Sequence, residues 1–382
     1  MTDRTQDLTA PRRAEPITLF LCGDIMTGRG IDQVLPHPCK PHIYEPYLRS
    51  ARDYIELAER RGGRLPRKVD FAYVWHAALP ALRLAHPDAR IVNLETAVTT
   101  SEDAWPGKGI HYRMHPANTP CLTALHLDCC VLSNNHVLDW GRKGLTETLA
   151  TLHRAGLQTA GAGGDEKEAS TPAQLELPGT GRVLVTAWGM ESAGVPASWA
   201  ATHDRSGVSL LKDLSPRSAD EVARVVDRHR RDGDLVVLSI HWGDNWGYEI
   251  PPEQRSFARR VIDLAGIDVI HGHSSHHVKG IEVYRDRPIL YGCGDFLNDY
   301  EGIGGHERYR PDLSLMYFPA LDATTGRLRS LTMAPTRTHR FRINRVEHEA
   351  AHWLRDVLNR EGKVLGTHVE LAEDGRLRLS WS

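Results

Sequence analysis

Short apolar runs rich in β-branched residues alternate along the chain with longer segments in which apolar residues recur at helical spacing. A short apolar run between polar boundaries predicts a strand, and a longer amphipathic segment predicts a helix. The strands predicted up to residue 270 span residues 18–22, 90–92, 129–133, 183–187, 235–240 and 268–270, and the helices span residues 144–155, 219–231 and 253–265. This alternation of strands and helices predicts the α/β fold class.

The C-terminal third differs, because strands there follow one another without helices between them. Residues 280–284, 288–291 and 313–318 predict strands in hairpin-like succession. Thr325-Gly326 and Asp374-Gly375 predict two further hairpin turns, and the segment HEAAHWLRDVLNREG predicts an amphipathic helix. We interpret residues 321–382 as hairpins and a helix that complete one domain with residues 17–320.

Two stretches show no clear periodicity. The first, MTDRTQDLTAPRRAEP, is polar and proline-bearing and contains no apolar signal core. We therefore expect residues 1–16 to be a disordered leader and the protein to be cytoplasmic. The second, residues 23 to about 66, is rich in Pro, His and Arg and predicts a long loop, which in compact domains is often functional.

Composition narrows the possible partners. Of the 382 residues, 41% are hydrophobic and 25% are charged, as in an average soluble globular protein. The net charge of −2 offers no polybasic surface for nucleic acid or anionic lipid. No segment approaches the roughly 18–20 apolar residues of a membrane span. The six cysteines lack the short paired spacings of a disulfide framework, and Cys129-Cys130 lies inside an apolar run, where we expect buried free thiols.

Polar side chains that can bind a metal follow five of the predicted strands. In chain order these are Asp24, Glu95, Asn135, His241 and the segment HGHSSHH from His271 to His277. Each alone has an ordinary explanation, since Gly-Asp is a common turn, Asn-x-Glu a common cap, and a histidine cluster can be a solvated loop. Because sites in open α/β sheets form at the carboxyl ends of the strands, we expect these side chains to converge. Carboxylate, amide and imidazole together predict a divalent metal site without sulfur ligands.

The chain contains, in this order, the motifs GDIMTGR, NLET, NNHVLDWGRKGL, AGAG, HWGDNWGYE and GHSSHH. Together they resemble the poly-γ-glutamate capsule-biosynthesis protein family (CapA-like), within the calcineurin-like metallophosphatase superfamily, from about residue 17 to residue 318. The resemblance implies a four-layer α/β/β/α sandwich with a metal centre at the strand ends. It implies one or two divalent ions, Mn, Fe or Zn, because Met26 stands where the superfamily often has a histidine that binds the first metal.

The resemblance also implies which residues bind the metals. Asp24 and His276 would bind the first metal, Glu95 would bridge both, and Asn135, His241 and His273 would bind the second. The bridging position is an aspartate in the wider superfamily, and the longer glutamate changes the geometry of the centre.

A second implied role concerns proton chemistry. His136 would stand over the substrate as a general acid or oxyanion stabiliser, and Asp139 would fix its tautomer through a hydrogen bond. An alternative for Asp139 is that it caps the following helix, since Gly141 and Gly144 lie just beyond it.

Further charged residues near this edge fit an anionic substrate. Arg29 follows the first aspartate closely, and the loop GKGIHYRMHP carries Lys108 and Arg113 before the Asn-His strand. The segment YGCGDFLND carries Asp295 and Asn298, which we also expect to contact the substrate. For Lys108 and Arg113, a solvated network of ion pairs is an equal alternative.

These residues predict a soluble, metal-dependent hydrolase or acyl- or phosphoryl-processing enzyme, in which a metal-activated water attacks an anionic substrate. By resemblance, that substrate is γ-glutamyl or phosphate-bearing, and the enzyme has biosynthetic partner proteins. Two alternatives remain open. One is a non-catalytic accessory protein that binds a polymer or a synthetase, and the other is a phosphoesterase for small phosphorylated molecules.

Overall fold

The computed structural model describes residues 15–177 and 181–382, so residues 1–14 of the predicted leader lie outside the described residues. Within these ranges the chain is a mixed α/β protein. The helices are α1 (Arg29–Val34), α2 (Arg52–Gly62), α3 (Ala78–Ala85), α4 (Pro120–Thr123), α5 (Gly141–Arg154), α6 (Glu166–Ser170), α7 (Pro216–His229), α8 (Pro252–Ala265) and α9 (His348–Gly362). None of the helices in the described ranges is both long and apolar enough to cross a membrane.

The strands are short in the N-terminal half and longer towards the C-terminus. In chain order they are β1 (Ile17–Leu21), β2 (Asp24–Ile25), β3 (Ala89–Asn93), β4 (Ala97–Val98), β5 (Arg113–Met114), β6 (Cys129–Val131), β7 (Gln158–Ala160), β8 (Ala162–Gly163), β9 (Ala173–Leu177), β10 (Gly181–Met190), β11 (Gly207–Val208), β12 (Leu210–Leu211), β13 (Leu235–His241), β14 (Val269–His273), β15 (Ile281–Tyr284), β16 (Arg287–Leu290), β17 (Asp295–Leu297), β18 (Leu313–Leu321), β19 (Leu328–Thr338), β20 (Ile343–Arg345), β21 (Thr367–Leu371) and β22 (Leu377–Trp381).

Most strands belong to two large sheets. The order in the first is β21-β22-β19-β18-β1-β3-β6-β7, with β20 paired to β19, and the order in the second is β12-β10-β13-β14-β16-β15, with β9 paired to β10. Strands β1, β3, β6 and β7 run parallel in the first sheet, and β10, β13, β14 and β16 do so in the second. Parallel neighbours send their carboxyl ends to the same edge of a sheet. The residues that follow these strands are therefore brought towards one another.

The predicted elements are confirmed, with ends that differ by a few residues. Each strand predicted up to residue 270 overlaps an observed strand, and the predicted helices correspond to α5, α7 and α8. Helix α7 begins three residues before its predicted start, because the side chain of Ser215 accepts a hydrogen bond from the Ser218 amide and Pro216 occupies the first helical position. Ser215-Pro216 is thus a signal for the start of a helix, and the spacing of apolar residues alone does not reveal it.

Three groups of buried apolar side chains hold these elements together. One group contains side chains from both large sheets, for example Leu19 of β1 and Val237 of β13. A second packs the first sheet against α1, α2, α3 and α5, and a third packs the second sheet against α7 and α8. All six cysteines are buried and free, which confirms the prediction made for Cys129 and Cys130.

The C-terminal segment joins the first sheet. Strands β18 and β19 form one antiparallel hairpin, β21 and β22 form another, and β22 pairs with β19. The turns predicted at Thr325-Gly326 and Asp374-Gly375 are confirmed, and Leu354 of α9 packs among side chains from both sheets. The domain boundary at residue 320 itself stays a prediction.

The long loop predicted for residues 23 to about 66 is wrong in part, since it contains α1 and α2. Helix α2 has the sequence RDYIELAERRG and buries Tyr54, Ile55 and Ala58. Its apolar stripe is narrow and its other positions are charged, so the surrounding prolines and histidines masked its helical period.

The short pair β2–β17 lies beside the two large sheets and brings Asp24 opposite Asp295. It requires a close approach of two backbones, because the Asp24 amide donates a hydrogen bond of 2.9 Å to the Gly294 carbonyl oxygen. A Cβ atom on the neighbouring Gly23 would lie 1.7 Å from that same oxygen.

We expect Gly23→Ala to lower the free energy of unfolding by about 3 kcal/mol or more, because neither backbone can move without breaking the β2–β17 pair. Urea unfolding followed by circular dichroism measures this change. The matched control is Gly109→Ala, where an added Cβ meets no atom within 4 Å. Equal stability of the two variants would show that the close approach is not a constraint.

Candidate metal centre

Three buried side chains form a group that could hold one metal ion. Asp24 lies in β2, and His241 and His273 end the neighbouring parallel strands β13 and β14, where they are Cα partners. One carboxylate oxygen and one ring nitrogen from each histidine lie within 4.8 Å of one another. The Nδ1 atoms of the two histidines are 2.8 Å apart, and Nδ1 of His273 is 3.9 Å from Oδ1 of Asp24. Carboxylate and imidazole donors are those that Mn, Fe and Zn accept.

The electrostatics of the site also fit a cation. Burial and the charge of Asp295 raise the pKa of Asp24 to about 7, although hydrogen bonds with Glu95 and Asn93 lower it. Burial and the charge of Asp24 raise the pKa of Glu95 well above its ordinary value. Like-charged carboxylates in a buried site repel one another, and a divalent ion offsets that repulsion.

Neutral imidazoles complete the donor set. Burial lowers the pKa of both His241 and His273 well below the ordinary value, and neighbouring histidines lower it further. A neutral ring keeps one nitrogen lone pair for a metal. The residues present therefore fit a divalent ion.

Three other predicted ligands lie around this group. Oδ1 of Asn135 is 3.2 Å from Nε2 of His241, so the amide borders the cluster directly. Glu95 and His276 line the same cavity as Asn135 and His241. Nδ1 of His276 is bonded to Oδ1 of Asp295 at 2.9 Å, and although burial lowers the pKa of His276, the Asp295 charge raises it. Metal binding by these three residues stays a prediction.

Two asparagines for which the sequence predicted no role form hydrogen bonds that position the candidate ligands. Nδ2 of Asn93 donates to Oδ1 of Asp24 at 2.7 Å, and Nδ2 of Asn134 donates to Oδ1 of Asn93 at 2.9 Å. Oδ1 of Asn134 accepts from the backbone amides of His136 and Val137. The Asn134-Asn135 pair was the sequence signal for this arrangement. Asn134 accepts the backbone hydrogen bonds of the turn, and Asn135 faces the cluster.

His136 is held in one orientation beside the cluster. Its Nδ1 is 2.7 Å from Oδ2 of Asp139, and Nζ of Lys108 is 2.8 Å from the other carboxylate oxygen. Although burial raises the pKa of Asp139, the charges of His136 and Lys108 lower it below its ordinary value. Nδ1 of His136 also lies 3.1 Å from Nζ of Lys108, but the carboxylate is closer, so we assign the Nδ1–H of His136 as the donor to Asp139. Nε2 of His136 lies 3.7 Å from Oε1 of Glu95.

The alternative that Asp139 caps α5 is wrong. The residue at the N-cap position is Trp140, which makes no side-chain cap hydrogen bond. Instead Asp139 also accepts a hydrogen bond of 2.7 Å from the Tyr112 amide, and the Tyr112 ring stands edge-on to the His136 ring at 4.5 Å between centroids. The pKa of His136 is lowered to about 4, because burial and the charge of Lys108 together outweigh the opposing charge of Asp139. The ring is therefore neutral at neutral pH.

The predicted substrate-binding arginines already have partners within the protein. The guanidinium of Arg29 is buried and bonded to Asp299 and Glu45, and it lies 3.8 Å from the centroid of the Tyr54 ring. Arg113 is also buried and donates to the carbonyl oxygens of Ser101 and Lys40. Substrate contact by these two arginines stays a prediction.

Two further residues that were predicted to contact the substrate, Asp295 and Asn298, lie in or next to β17. Asp295 binds His276, and Nδ2 of Asn298 donates to Oδ2 of Asp295 at 2.9 Å. Met26 is buried next to them, with its sulfur 3.5 Å from the hydroxyl of Tyr300. Tyr300 was not predicted, and no motif in the sequence identifies it.

Two adjoining cavities open onto this arrangement. The smaller, of about 350 Å³, is lined by Glu95, Lys108, Asn135, His136, His241 and His276. The larger, of about 710 Å³, shares Ile110, Asn245, His276 and Tyr300 with it and continues past Tyr47, Trp246 and Ile303. Together they provide room for a ligand much larger than its reacting group.

Comparisons with known proteins show which family the chain belongs to. The family model described as "Bacterial capsule synthesis protein PGA_cap" matches residues 18–300. A "Probable polyglutamine synthesis accessory protein" of Mycobacterium tuberculosis (strain ATCC 25618 / H37Rv) is 47% identical over 364 residues, which cover 95% of this chain and 96% of that protein. The "Capsule biosynthesis protein CapA" of Bacillus anthracis is 25% identical over 291 residues, which cover 75% of this chain and 61% of that protein. The resemblance seen in the motifs is thus confirmed, and the chain belongs to the PGA_cap family of bacterial capsule synthesis proteins.

Proposed function

We propose that this protein is a metal-dependent hydrolase that acts on an anionic acyl or phosphoryl substrate in poly-glutamate synthesis. The observation that carries the proposal is the position of His136. Asp139 holds its Nδ1, and the ring lines the same cavity as Glu95 and His241. A protein that only binds a polymer has no need of an imidazole held in one tautomer beside metal ligands.

The bound metal and the side chains around it would have different roles in such a reaction. Bound divalent ions would supply Lewis-acid chemistry, which activates water and stabilises negative charge. Because Asp139 holds Nδ1 of His136, Nε2 is the atom that exchanges a proton with the substrate or, once protonated, donates to a developing oxyanion. Lys108 contacts both members of this pair, the other carboxylate oxygen of Asp139 at 2.8 Å and Nδ1 of His136 at 3.1 Å, and it lines the cavity beside His136.

The size of the cavities and the names of the relatives support an extended substrate. The larger cavity runs away from the cluster past Trp246 and Tyr300, so it favours a chain-like ligand over a small phosphorylated molecule. The Mycobacterium tuberculosis relative carries a name referring to polyglutamine synthesis, and a Bacillus subtilis relative is named "PGA biosynthesis protein CapA". A γ-glutamyl amide is therefore the preferred substrate class.

We propose the four-layer α/β/β/α sandwich as the full description of the fold. It is supported by the apolar group that contains side chains of both sheets and by the two groups that pair each sheet with its own helices.

A second candidate is a non-catalytic accessory protein that binds polyglutamate or a biosynthetic partner protein. The word "accessory" in the name of the 47% identical relative favours it. Met26 favours it too, because this buried thioether replaces a histidine ligand and leaves the first metal with weaker binding.

Elemental analysis joined to a substrate panel tests the proposal. We expect purified protein to contain one or two equivalents of Mn, Fe or Zn, and to hydrolyse γ-glutamyl-p-nitroanilide or poly-γ-glutamate faster than p-nitrophenyl phosphate. Treatment with a chelator should abolish turnover, and adding back the metal should restore it.

Three results would lead away from this proposal. Bound metal with no turnover of any substrate would favour the accessory protein. Faster turnover of p-nitrophenyl phosphate would favour a small-molecule phosphoesterase. A protein that neither contains nor takes up metal would contradict the metal centre itself.

A further inference from the structure

Two polar side chains lie directly behind the histidine ligands on the same two strands. Ser239 and His271 are Cα partners in the parallel pair β13–β14, and His241 and His273 are the next such partners on the same face. Because side chains alternate between the faces of a strand, these four side chains share one face of the sheet. Each is at most 1% exposed, so every polar atom among them must find its partner inside the protein.

The hydrogen bonds among these residues have one consistent direction. Nε2 of His271 lies 2.6 Å from the carbonyl oxygen of Cys22, which can only accept, so Nε2 carries the proton. The hydrogen bonds of His271 go to Cys22 and Ser239, and its ring also contacts His273. A neutral imidazole carries one proton, so with Nε2 protonated its Nδ1 can only accept. Its Nδ1 therefore accepts from the hydroxyl of Ser239, at 3.1 Å.

The direction continues into the metal cluster. Since the hydroxyl proton of Ser239 points to His271, its oxygen accepts a hydrogen bond from Nε2–H of His273, at 2.9 Å. A neutral His273 that carries its proton on Nε2 has a free lone pair on Nδ1. That Nδ1 is the atom that faces Nδ1 of His241 and Oδ1 of Asp24.

We propose that Ser239 and His271 are positioning residues that set the tautomer of His273 and so select Nδ1 as its metal-binding atom. The inference rests on the metal centre of the proposed function. Cys22 follows β1 of the first sheet, whereas Ser239, His271 and His273 belong to the second sheet. The hydrogen bond from His271 to the Cys22 carbonyl oxygen therefore also links the two sheets beside the metal centre.

The tautomer can be measured without any variant. Long-range ¹H–¹⁵N correlation spectra of the metal-free, ¹⁵N-histidine-labelled protein distinguish a proton on Nε2 from one on Nδ1. We expect His271 and His273 both to carry the proton on Nε2. A proton on Nδ1 of His273 would overturn the proposal, whatever metal content the protein shows.

Metal affinity tests the same hydrogen bonds, from Ser239 to His271 and from His273 to Ser239, through substitution. We expect Ser239→Ala to weaken Zn²⁺ binding by about 10- to 100-fold in a competition titration with a chromophoric chelator. Ser239→Thr keeps the hydroxyl and should restore the affinity to within a few-fold of wild type. The matched control is Ser314→Ala, which removes a buried hydroxyl without a hydrogen-bond partner, and it should leave the affinity unchanged.

The outcomes separate this proposal from the proposed function. Suppose that the wild type binds Zn²⁺ and that Ser239→Ala binds it as tightly as Ser314→Ala. The positioning role of Ser239 and His271 is then wrong, and the metal centre stands. If the wild type binds no metal, the metal centre is wrong, and the spectra of the metal-free protein still decide whether the hydrogen bonds run in this direction. If Ser239→Ala does not fold, the wild-type spectra decide alone.

Discussion

Replacing His136 by alanine is expected to lower kcat by about 10²- to 10⁴-fold while the metal content stays at that of the wild type. The expectation follows from the contacts of the two ring nitrogens of His136. Nδ1 is bonded to Asp139, and Nε2 lies 3.7 Å from the nearest oxygen of Glu95. His136 lies outside the Asp24–His241–His273 group. The His136→Ala change would therefore remove the side chain that we propose exchanges a proton, and it would leave the three candidate metal ligands in place.

Steady-state kinetics on the substrate that the panel identifies, together with elemental analysis, measure both quantities. His153→Ala is the matched control, because His153 lies in the last turn of α5 with an exposed side chain. It should retain wild-type turnover. If His136→Ala also retained full turnover, His136 would have no role in the chemistry, and the hydrolase proposal would lose its main support.

The second large effect is expected from His241→Ala, which should lose bound metal as well as turnover. His241 supplies one of the three candidate ligand atoms that lie within 4.8 Å of one another, and its Nε2 lies 3.2 Å from Oδ1 of Asn135. Removing a direct ligand should weaken metal binding by more than the roughly 10- to 100-fold typical of residues that only orient ligands.

Isothermal titration of the metal-free protein with Zn²⁺ compares His241→Ala with the wild type, and circular dichroism verifies that the variant is folded. His229→Ala serves as the control, since His229 lies near the C-terminal end of α7 and its Nδ1 is bonded only to a helix carbonyl. A folded His241→Ala variant that binds metal as the wild type does would exclude His241 as a ligand. The two variants together separate proton chemistry from metal binding, because only one of them should lose the ion.

The fold class and most elements could be predicted from the sequence, since apolar spacing along a segment reflects which of its faces is buried. The predicted cluster of Asp24, His241 and His273 rests on the same logic. Each follows or ends a short apolar run, and the carboxyl ends of such strands meet at sheet edges. Helix α2 escaped prediction because its apolar stripe is narrow and lies among charged residues.

Contacts between distant segments were decided by tertiary structure. Arg29 forms a buried ion pair with Asp299 across 270 positions of sequence, while its contact with substrate stays a prediction. The Ser239–His271 partnership depends on the register of β13 against β14, and nothing local to either strand encodes that register. Asp139 faces His136, Lys108 and the Tyr112 amide, and the helix after it begins without a side-chain cap.

The sequence by itself therefore determined the fold class, the family motifs and which residue types gather at the sheet edge, because these are properties of short segments. Only the tertiary structure decided which carboxylate compensates Arg29, which group orients His136 and which hydrogen bonds lie behind His273. Pairing of buried polar groups depends on strand register and sheet separation, and both are set by the packing of the whole core.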